Sequence, residues 1–360
     1  MKRCLNIESV FSPGAKYPAL HRSIERFPLE EIDFTGEVRP GLCVAVGLDE
    51  VDPEQFYFDR FVSVLRRNGV ETRRVDLRRA DFATRLSGCD CLLFRPCPRP
   101  YRLDVLRDVV RFVETGLELP VFPGCHEIQI YENKRLQHWF LGNLGFPVIP
   151  TFISADFQES LLYLSENPPP YIFKANVGAK GSGVERLGDR KTAERYVRRI
   201  FSANGATSPW AYSRLKNTVH IQPFIENKGY DLRVAVVGDQ VMGYYRRVQG
   251  KDFRASGSGV LEFGPLPAEA VRIAVDVRNR LDLTFVAVDF IEDLEGKLWI
   301  VEISTFIGHR TSGLYREGGV PGWLRVSGDG RAEAELGKRC WFPDLMVEAF
   351  LTRHFPRGDE

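Results

Sequence analysis

Residues 284–304 read TFVAVDFIEDLEGKLWIVEIS. The segment holds two runs rich in β-branched and aromatic residues, 284–291 and 297–303, joined by a turn that contains Glu295-Gly296. Such runs, separated by turn residues, predict the two strands of a buried β-hairpin. If Glu295-Gly296 forms a two-residue turn, Asp289 and Glu302 are direct cross-strand partners.

Two opposed carboxylates inside a buried hairpin predict a metal site. Like charges that face each other at about 5 Å destabilise a sheet. A divalent cation between Asp289 and Glu302 would remove this repulsion, and oxygen ligands suit Mg²⁺ or Mn²⁺. Ser304 follows on the same face and would add a weaker oxygen ligand. The alternative is a pair of carboxylates on a solvated face, which would need the polar alternation that these strands lack.

The composition is that of a globular protein without a general affinity for polyanions. The chain has 360 residues, of which 44% are apolar and 27% charged, and this length suits about two to three domains. Its 49 Lys and Arg against 48 Asp and Glu leave a net charge of +1, so we expect neither a nucleic acid nor a membrane partner. The 7 cysteines lack Cys-x-x-Cys spacing and predict buried free thiols in a cytoplasmic protein.

Residues up to about 124 alternate predicted strands with predicted helices. The apolar run GLCVAVG at 41–47 is followed by a helical pattern at 54–68, and strands at 72–77, 90–95 and 119–123 continue the alternation. This order predicts an α/β unit with a parallel sheet and right-handed crossovers. The unit has no Gly-x-Gly-x-x-Gly sequence, which argues against dinucleotide binding by the usual route.

A glycine loop follows a predicted strand in the second half of the chain. The strand at 171–175 contains Lys174, and the loop Gly178-Ala-Lys-Gly-Ser-Gly183 comes directly after it. Glycines let backbone N–H groups approach an anion, and a lysine in an apolar strand needs a counter-charge. Two interpretations stay open on these residues alone, a phosphate-binding loop or an ordinary hairpin turn.

A second hairpin is predicted at 230–237 and 240–248, with a turn at Gly238-Asp239. Arginines are the fixed donors that suit a phosphoryl group in transfer, although any single one could instead form a surface salt bridge. The basic residues in and after this hairpin are Arg233, Arg246, Arg247, Lys251 and Arg254. Further on, residues 342–354 have helical spacing with Asp344 as the expected N-cap and predict a docking helix, while most of 310–345 receives no assignment.

The order of these features resembles the ATP-grasp superfamily, in particular glutathione synthetase, ribosomal-protein glutamate ligase and related carboxylate-amine ligases. The resemblance spans residues 125–309. Its motifs match the two ATP lysines, the lid loop, the adenine hinge, the Asp-x-Arg strand, the arginine before Phe-Arg-x-Asn and the metal motif. In this sequence the matching residues are Lys134, Lys174, Gly178, Lys180, Gly181, Ser182, Gly183, Gln222, Phe224, Ile225, Glu226, Asp231, Arg233, Arg247, Phe253, Arg254, Asp289, Glu302 and Ser304.

The resemblance implies an α/β and α+β architecture, the ATP-grasp fold with an N-terminal Rossmann-like pre-ATP-grasp domain. The implied domains are 1–124, 125–221 with the lid loop, and 222–360 with the metal site and the C-terminal helix. The implied reaction joins a small-molecule or peptide carboxylate to an amine through an acylphosphate, with ATP and Mg²⁺ or Mn²⁺, and releases ADP and phosphate. Arg233, Arg247 and Arg254 would be catalytic. Homo-oligomerisation stays open.

Two departures from the family pattern leave alternatives. The metal-binding asparagine is Ser304 here, and the asparagine of the Phe-Arg-x-Asn motif is Ser256. These replacements motivate a nucleotide-binding module without catalysis. The basic cluster at 251–254 motivates a kinase that phosphorylates a hydroxyl group and releases no phosphate. The altered loop after Ser304, Thr-Phe-Ile-Gly308, suggests an acceptor unlike those of the best-known members.

Overall fold

The N-terminal part of the chain forms the expected parallel sheet. The computed structural model describes residues 24–34, 37–49, 56–178, 183–208, 213–248, 253–254, 260–308 and 312–357. In this part the elements are β1 (Cys43–Leu48), α1 (Phe56–Arg67), β2 (Glu71–Asp76), α2 (Phe82–Arg85), β3 (Cys91–Phe94), α3 (Pro100–Gly116) and β4 (Val121–Phe122). The strand order is β2-β1-β3-β4, and every pair is parallel. The strands β1 and β3 are buried along their whole length, as their apolar sequences predict.

The middle of the chain begins with two helices that belong to the large core and continues as a smaller antiparallel sheet with two further helices packed on it. Its elements are α4 (Cys125–Ile130), α5 (Lys134–Asn143), β5 (Phe152–Ser154), α6 (Phe157–Glu166), β6 (Tyr171–Lys174), β7 (Val184–Leu187), α7 (Arg190–Ile200), β8 (Ala206–Thr207), β9 (Arg214–Leu215) and β10 (Val219–Pro223). The strand order is β5-β10-β6-β7. Asp189 caps α7 by accepting a hydrogen bond from the Thr192 N–H at 2.8 Å. Leu164, Phe173 and Val197 belong to a hydrophobic core of this unit alone.

The last part of the chain forms the largest sheet. Its elements are β11 (Asn227–Val237), β12 (Gln240–Arg247), β13 (Leu261–Glu262), α8 (Ala268–Arg280), β14 (Phe285–Asp293), β15 (Leu298–Ser304), β16 (Tyr315–Glu317), β17 (Val320–Val326), β18 (Ala332–Leu336) and α9 (Phe342–His354). The order is β15-β14-β11-β12-β17-β16, with β13 paired to β12 and β18 to β17. Helix α8 and strands β16–β18 were not predicted from the sequence.

The hairpin of β14 and β15 confirms the predicted pairing of Asp289 with Glu302 but not the predicted turn. Glu292 pairs with Leu298, so the connection is longer than two residues. The Gly296 N–H donates to the Asp293 carbonyl at 3.1 Å, and Gly296 has a φ of +90°, typical of a three-residue loop closed by a glycine bulge. A bulge between Asp289 and Phe290 then shifts the register by one residue and restores the Asp289–Glu302 pair.

The C-terminal helix α9 packs on the N-terminal unit. The N-terminal parallel sheet and the largest sheet share one continuous hydrophobic core. The sequence predicts Asp344 as the cap of α9, but the cap position is Trp341. Asp344 is buried and forms a bidentate ion pair with Arg60 of α1, because this arginine offers a charge partner that the helix end does not. Among the described residues, no helix combines the length and hydrophobicity needed to cross a membrane.

Candidate active site

A cleft separates the small sheet from the largest sheet, with about 890 Å³ of space that is continuous with solvent. Strands β6 and β10 line one side, and β14 and β15 line the other. Of the residues singled out from the sequence, the cleft brings together Lys134, Lys174, Gln222, Phe224, Ile225, Asp231, Phe253, Arg254, Asp289 and Glu302. Lining residues from distant parts of the chain therefore converge on a single space.

Lys134 is the first residue of α5, and its ammonium group lies at the floor of the cleft. It donates a hydrogen bond to the Gly178 carbonyl at 2.9 Å and lies 3.3 Å from Glu302 Oε1. Burial alone would lower the pKa of Lys134, but Glu302 and Glu132 together raise it above its usual value. Lys134 therefore stays charged. It links Gly178, at the base of the glycine loop, to Glu302 of the predicted metal site.

Lys174 is the last residue of β6 and lies opposite β15. Its ammonium group donates to the Val301 carbonyl at 3.4 Å, and Val301 is the bulge residue next to Glu302. Burial, together with the nearby positive charge of Lys134, lowers the pKa of Lys174 to about 8. The ammonium groups of Lys134 and Lys174 both lie beside Glu302, so a phosphate group that entered the cleft would meet two positive charges.

The glycine loop joins β6 to β7 as the turn of an antiparallel hairpin. Lys174 pairs with Val184, and the Ala175 N–H donates to the Gly183 carbonyl at 2.7 Å. Gly183 has a φ of +78°, a conformation that favours glycine. Lys180, Gly181 and Ser182 lie outside the described residues. Both Gly178 and Gly183 are therefore held at the base of the loop that the sequence marks as a phosphate lid.

The segment after β10 has the position expected of a nucleotide hinge. Gln222 is buried, and its Nε2 donates to Thr151 Oγ1 at 2.6 Å. The ring of Phe224 lies 3.9 Å beneath the Arg186 guanidinium, in cation–π contact. Ile225 also lines the cleft, whereas Glu226 is exposed and does not line it in the structure. Asn227 lines the cleft instead.

The predicted metal carboxylates each have a cationic partner. Arg233 binds Asp289 in a bidentate ion pair with distances of 2.6 and 2.7 Å, and Arg246 adds a contact of 2.8 Å. Burial would raise the pKa of Asp289, but these two arginines hold it well below its usual range. Because Arg233 is the cross-strand partner of Asp289, the register of β11 with β14 fixes this ion pair.

The oxygen donors at this position fit a magnesium or manganese ion. Asp289, Glu302 and the buried Ser304 offer only oxygen ligands on neighbouring strands. Within the described ranges, no group of three or more His, Cys, Asp or Glu residues could hold a metal by itself. Mg²⁺ commonly binds one or two carboxylates and completes its shell with water and phosphate oxygens, which suits this site.

The arginine that faces the cleft is Arg246, not the predicted Arg247. Side chains alternate along β12, so only one of two consecutive arginines can share a face with Asp231, the cross-strand partner of Arg246. Arg246 is buried and ion-paired to Asp231 and Asp289. Arg247 lies on the other face, where it binds Glu262 at 2.8 Å and covers the Tyr230 ring. Arg254 lines the cleft as expected.

A buried carboxylate beside the cleft lysines was not predicted from the sequence. Tyr131 and Glu132 directly precede the Asn133-Lys134 start of α5, and both are buried. Glu132 Oε2 accepts a hydrogen bond from the Gly178 N–H at 3.3 Å, and burial raises the pKa of Glu132 to about 7 against the opposing effect of Lys134. A charged residue two positions from a predicted phosphate lysine was a visible signal, but the burial that makes it important was not.

The comparisons with known proteins agree with this geometry. Residues 160–315 match the family model of the RimK-like ATP-grasp domain. A tetrahydromethanopterin:α-L-glutamate ligase from Methanosarcina acetivorans is 25% identical over 279 residues, which cover 69% of this chain and 82% of that protein. A probable α-L-glutamate ligase from Xanthomonas euvesicatoria pv. vesicatoria is 33% identical over 182 residues, which cover 49% of this chain and 57% of that protein.

The fold is also shared with solved structures. The D-alanine–D-alanine ligase of Bacillus anthracis has a TM-score of 0.53 and 18% identity, and the match covers 74% of this chain and 88% of that one. At 18% identity the match to a solved structure supports a shared fold only. The support for a ligase reaction comes from the sequence relatives. Residues 160–315 are thus similar to the RimK-like ATP-grasp domain, and the relatives identify the protein as an ATP-dependent ligase.

Proposed function

We propose that the protein joins a carboxylate to the amino group of an amino acid through an acylphosphate. The observation that carries this proposal is the convergence of Lys134, Lys174, Asp289 and Glu302 on one cleft beside a hinge that suits adenine. The names of two relatives, both α-L-glutamate ligases, make L-glutamate the first amine to test. The carboxylate partner is a small molecule or the end of a peptide.

The chemistry proceeds in two displacements. A carboxylate oxygen of the first substrate attacks the γ-phosphorus of ATP, the bond to the β-phosphate oxygen breaks, and ADP leaves. The neutral amine then attacks the acyl carbon, the carbon–oxygen bond to phosphate breaks, and an amide and inorganic phosphate remain. The surplus proton of the ammonium form leaves with solvent or a base.

The residues of the cleft have separate roles in this proposal. Lys134 and Lys174 pair with the α- and β-phosphates, while Arg246 and Arg254 offset the charge on the transferred phosphoryl group. Arg233 orients Asp289. Glu302, Asp289 and Ser304 would hold Mg²⁺ or Mn²⁺, which supplies charge neutralisation at the β- and γ-phosphates. Lys180, Gly181 and Ser182 would close over the phosphates with the rest of the lid loop.

Free thiols support a cytoplasmic setting. The six cysteines within the described part of the chain, all of them unbridged, are Cys43, Cys89, Cys91, Cys97, Cys125 and Cys340. Reduced, buried thiols are typical of proteins kept in a reducing compartment.

The test is ADP and phosphate release from ATP with L-glutamate and a panel of carboxylates, followed by mass spectrometry of the product. Glu302→Gln and Lys174→Ala should each lower kcat at least 100-fold, the loss expected when one electrostatic contact to the transition state is removed. Retained turnover in both variants would overturn the proposal. A stable phosphorylated product without phosphate release would indicate a kinase instead.

A matched pair of arginine variants tests the assignment within β12. Arg246→Lys keeps the positive charge but loses the fixed fork of donors toward Asp231 and Asp289, so kcat should fall at least tenfold. Arg247→Lys changes the neighbouring residue on the opposite face and should stay within threefold of the unaltered enzyme. The reverse order of effects would return the catalytic role to Arg247.

A further inference from the structure

Gln222 faces the cleft from the strand that leads into the hinge. It lies near the end of β10, opposite Ile172 of β6. On the other side of β10, Ile221 pairs with Phe152 of β5, so the next step of this antiparallel register sets Gln222 beside Thr151. Gln222 is buried and lines the cleft, so the orientation of its amide group decides what the cleft presents to a ligand.

Two hydrogen bonds fix the orientation of this amide group. The Thr151 hydroxyl donates to the Ile149 carbonyl at 2.7 Å, which uses the only hydrogen that the hydroxyl carries. Its oxygen can then only accept, and it accepts from Gln222 Nε2 at 2.6 Å. If the amide turned round, Thr151 would have to donate to Gln222, and the Ile149 carbonyl would lose its hydrogen bond. Among the described residues none donates to Gln222 Oε1, which leaves this acceptor to a ligand in the cleft.

The two residues after Gln222 offer a ligand no donor in its place. Pro223 has no backbone N–H, and the Phe224 N–H already donates to the Pro170 carbonyl at 3.1 Å. A ligand group that meets Gln222 at this point of the hinge must therefore bring the donor itself.

The walls of the cleft near Gln222 suit a flat ring. Ligand sites surround such rings with apolar side chains and fix their orientation with a few polar groups. The apolar side chains that line the cleft together with Gln222 include Ile149, Ile172, Val184, Phe224, Ile225 and Ile291. A nucleotide base between these side chains would direct its polar edge to Gln222.

We propose that Thr151 is a positioning residue that makes the cleft select a 6-aminopurine over a 6-oxopurine. The exocyclic amino group donates to Gln222 Oε1, whereas an oxo group at the same position meets this oxygen lone pair to lone pair. Neither Pro223 nor Phe224 supplies the donor that the oxo group would need, so the wrong base leaves polar atoms unpaired. This inference rests on the proposed function, in which a nucleotide occupies the cleft, and it assigns the residue behind the choice of base.

The test compares ADP with inosine diphosphate, which carries an oxo group in place of the 6-amino group. Both are titrated by calorimetry in the presence of Mg²⁺. The unaltered protein should bind ADP at least about 30-fold more tightly than inosine diphosphate, the effect of one hydrogen bond lost and one polar atom left unpaired. Purine riboside diphosphate, with hydrogen at position 6, should bind with intermediate affinity because it neither donates to Oε1 nor repels it.

Variants of Thr151 separate orientation from folding. Thr151→Val keeps the shape of the side chain but removes the acceptor, so the amide can turn its Nε2 to an oxo group, and the preference should fall to about threefold or less. Thr151→Ser keeps the hydroxyl and should keep the preference. Ser154→Ala removes a hydroxyl that contacts Glu159 of α6 instead of the cleft, and it should also keep the preference. Each preference is a ratio of two Kd values in one protein, so partial unfolding of a variant does not change it.

A double variant tests the same point in the opposite direction. In Thr151→Val/Gln222→Glu the ionised carboxylate offers only acceptors in every orientation, so at pH 8 the preference for ADP should return to about tenfold or more. If the preference stayed lost, the orientation of an acceptor would not be what selects the base, and the inference would be wrong.

The outcomes distinguish this inference from the proposed function. If the unaltered protein binds both nucleotides equally, or if Thr151→Val keeps the full preference, the inference is wrong while the nucleotide cleft stands. If neither nucleotide binds, the proposed function is wrong and the inference fails with it. If ADP is preferred as expected but no carboxylate promotes ADP formation from ATP, the proposed ligation is wrong while the selection of the base stands.

Discussion

At the scale of single residues, the two lysines of the cleft differ in the acceptor groups that their ammonium groups contact. Lys134 has Glu302 as its partner at 3.3 Å, whereas the only described contact that Lys174 donates to is the Val301 carbonyl at 3.4 Å. A carbonyl oxygen offsets less charge than a carboxylate does. This difference explains why the pKa of Lys134 is raised and that of Lys174 is lowered. Lys174 is therefore the lysine whose charge depends most on a bound phosphate.

Nucleotide affinity should depend on pH through Lys174. In the empty cleft its pKa is lowered to about 8, and a phosphate group favours the charged form, so binding above pH 8 takes up a proton. The Kd of metal-free ADP should rise about tenfold per pH unit above pH 8. Lys174→Arg keeps its charge over this range and should abolish the slope; an unchanged slope in this variant would assign the titration elsewhere.

Some of these residues could be found from the sequence and others could not. Lys174 and Glu302 were visible because a charged residue in an apolar strand is unusual in itself. Arg246 was not distinguishable from Arg247, since the choice depends on which face of β12 points to the cleft. Glu132 was visible only as a charge near Lys134, because its importance comes from burial and from its contact with Gly178, which is distant in the sequence.

At the scale of secondary-structure elements, the hairpin of β14 and β15 shows how a correct pairing followed from an incorrect turn. The loop is one residue longer than predicted, and the bulge at Val301 compensates for that residue. Glycine at a turn is readable from sequence, but a bulge in a β-branched strand has no comparable signal. The bulge turns the Val301 carbonyl toward Lys174, so the irregularity contributes directly to the cleft.

Helix α9 contains a destabilising carboxylate. Burial raises the pKa of Glu348 to about 7, and Glu37 and Asp239 add to this effect. Because the folded state holds the proton more tightly than the unfolded state, stability is lost as the pH rises from about 4.5 to 7. Glu348→Gln should raise the free energy of unfolding by about 1 to 2 kcal/mol at pH 8, allowing for partial exposure, and change it little at pH 4.

Thermal unfolding at both pH values measures this effect. The exposed Glu333→Gln on β18 provides the control and should leave Tm unchanged at either pH. A Glu348→Gln variant that gains as much at pH 4 as at pH 8 would show that the ionised carboxylate is not the cause.

At the scale of the whole molecule, Glu127 joins the N-terminal unit to the largest sheet. Its carboxylate accepts hydrogen bonds from the Gly124 N–H at 2.9 Å and the Thr284 N–H at 2.7 Å, and its backbone carbonyl accepts one from Thr305 Oγ1 at 2.8 Å. Glu127 is buried, so its loss would leave two buried backbone donors without partners.

Replacing Glu127 should therefore destabilise the whole molecule. Glu127→Ala should lower the free energy of unfolding by about 3 kcal/mol, and Glu127→Gln by less, since the amide oxygen keeps one acceptor. Urea unfolding followed by circular dichroism measures both values. Glu166→Ala, at an exposed position of α6, should cost less than about 0.5 kcal/mol. A loss for Glu127→Ala as small as that control would mean that water replaces the carboxylate.

The separation into a large core and a small core predicts two stages of opening. The small sheet has its own hydrophobic cluster, and it reaches the largest sheet through contacts such as Ile300 N–H to Pro147 O at 2.7 Å and Lys174 to Val301. Without ligand, amides of 152–223 should exchange with solvent faster than those of 285–304, because fewer buried contacts protect the smaller unit.

A bound nucleotide would touch both sheets and so couple the two units. At a concentration of 100 times Kd, an ATP analogue with Mg²⁺ stabilises the folded cleft by about 2.7 kcal/mol relative to the state in which the small unit has opened. Hydrogen exchange of the amides of 152–223 should therefore slow about 100-fold. Lys174→Ala, which removes a contact from the small sheet only, should weaken this protection while 285–304 stays protected. Equal slowing of every amide in the chain would instead mean that the two cores open as one unit and that the cleft is not a boundary between them.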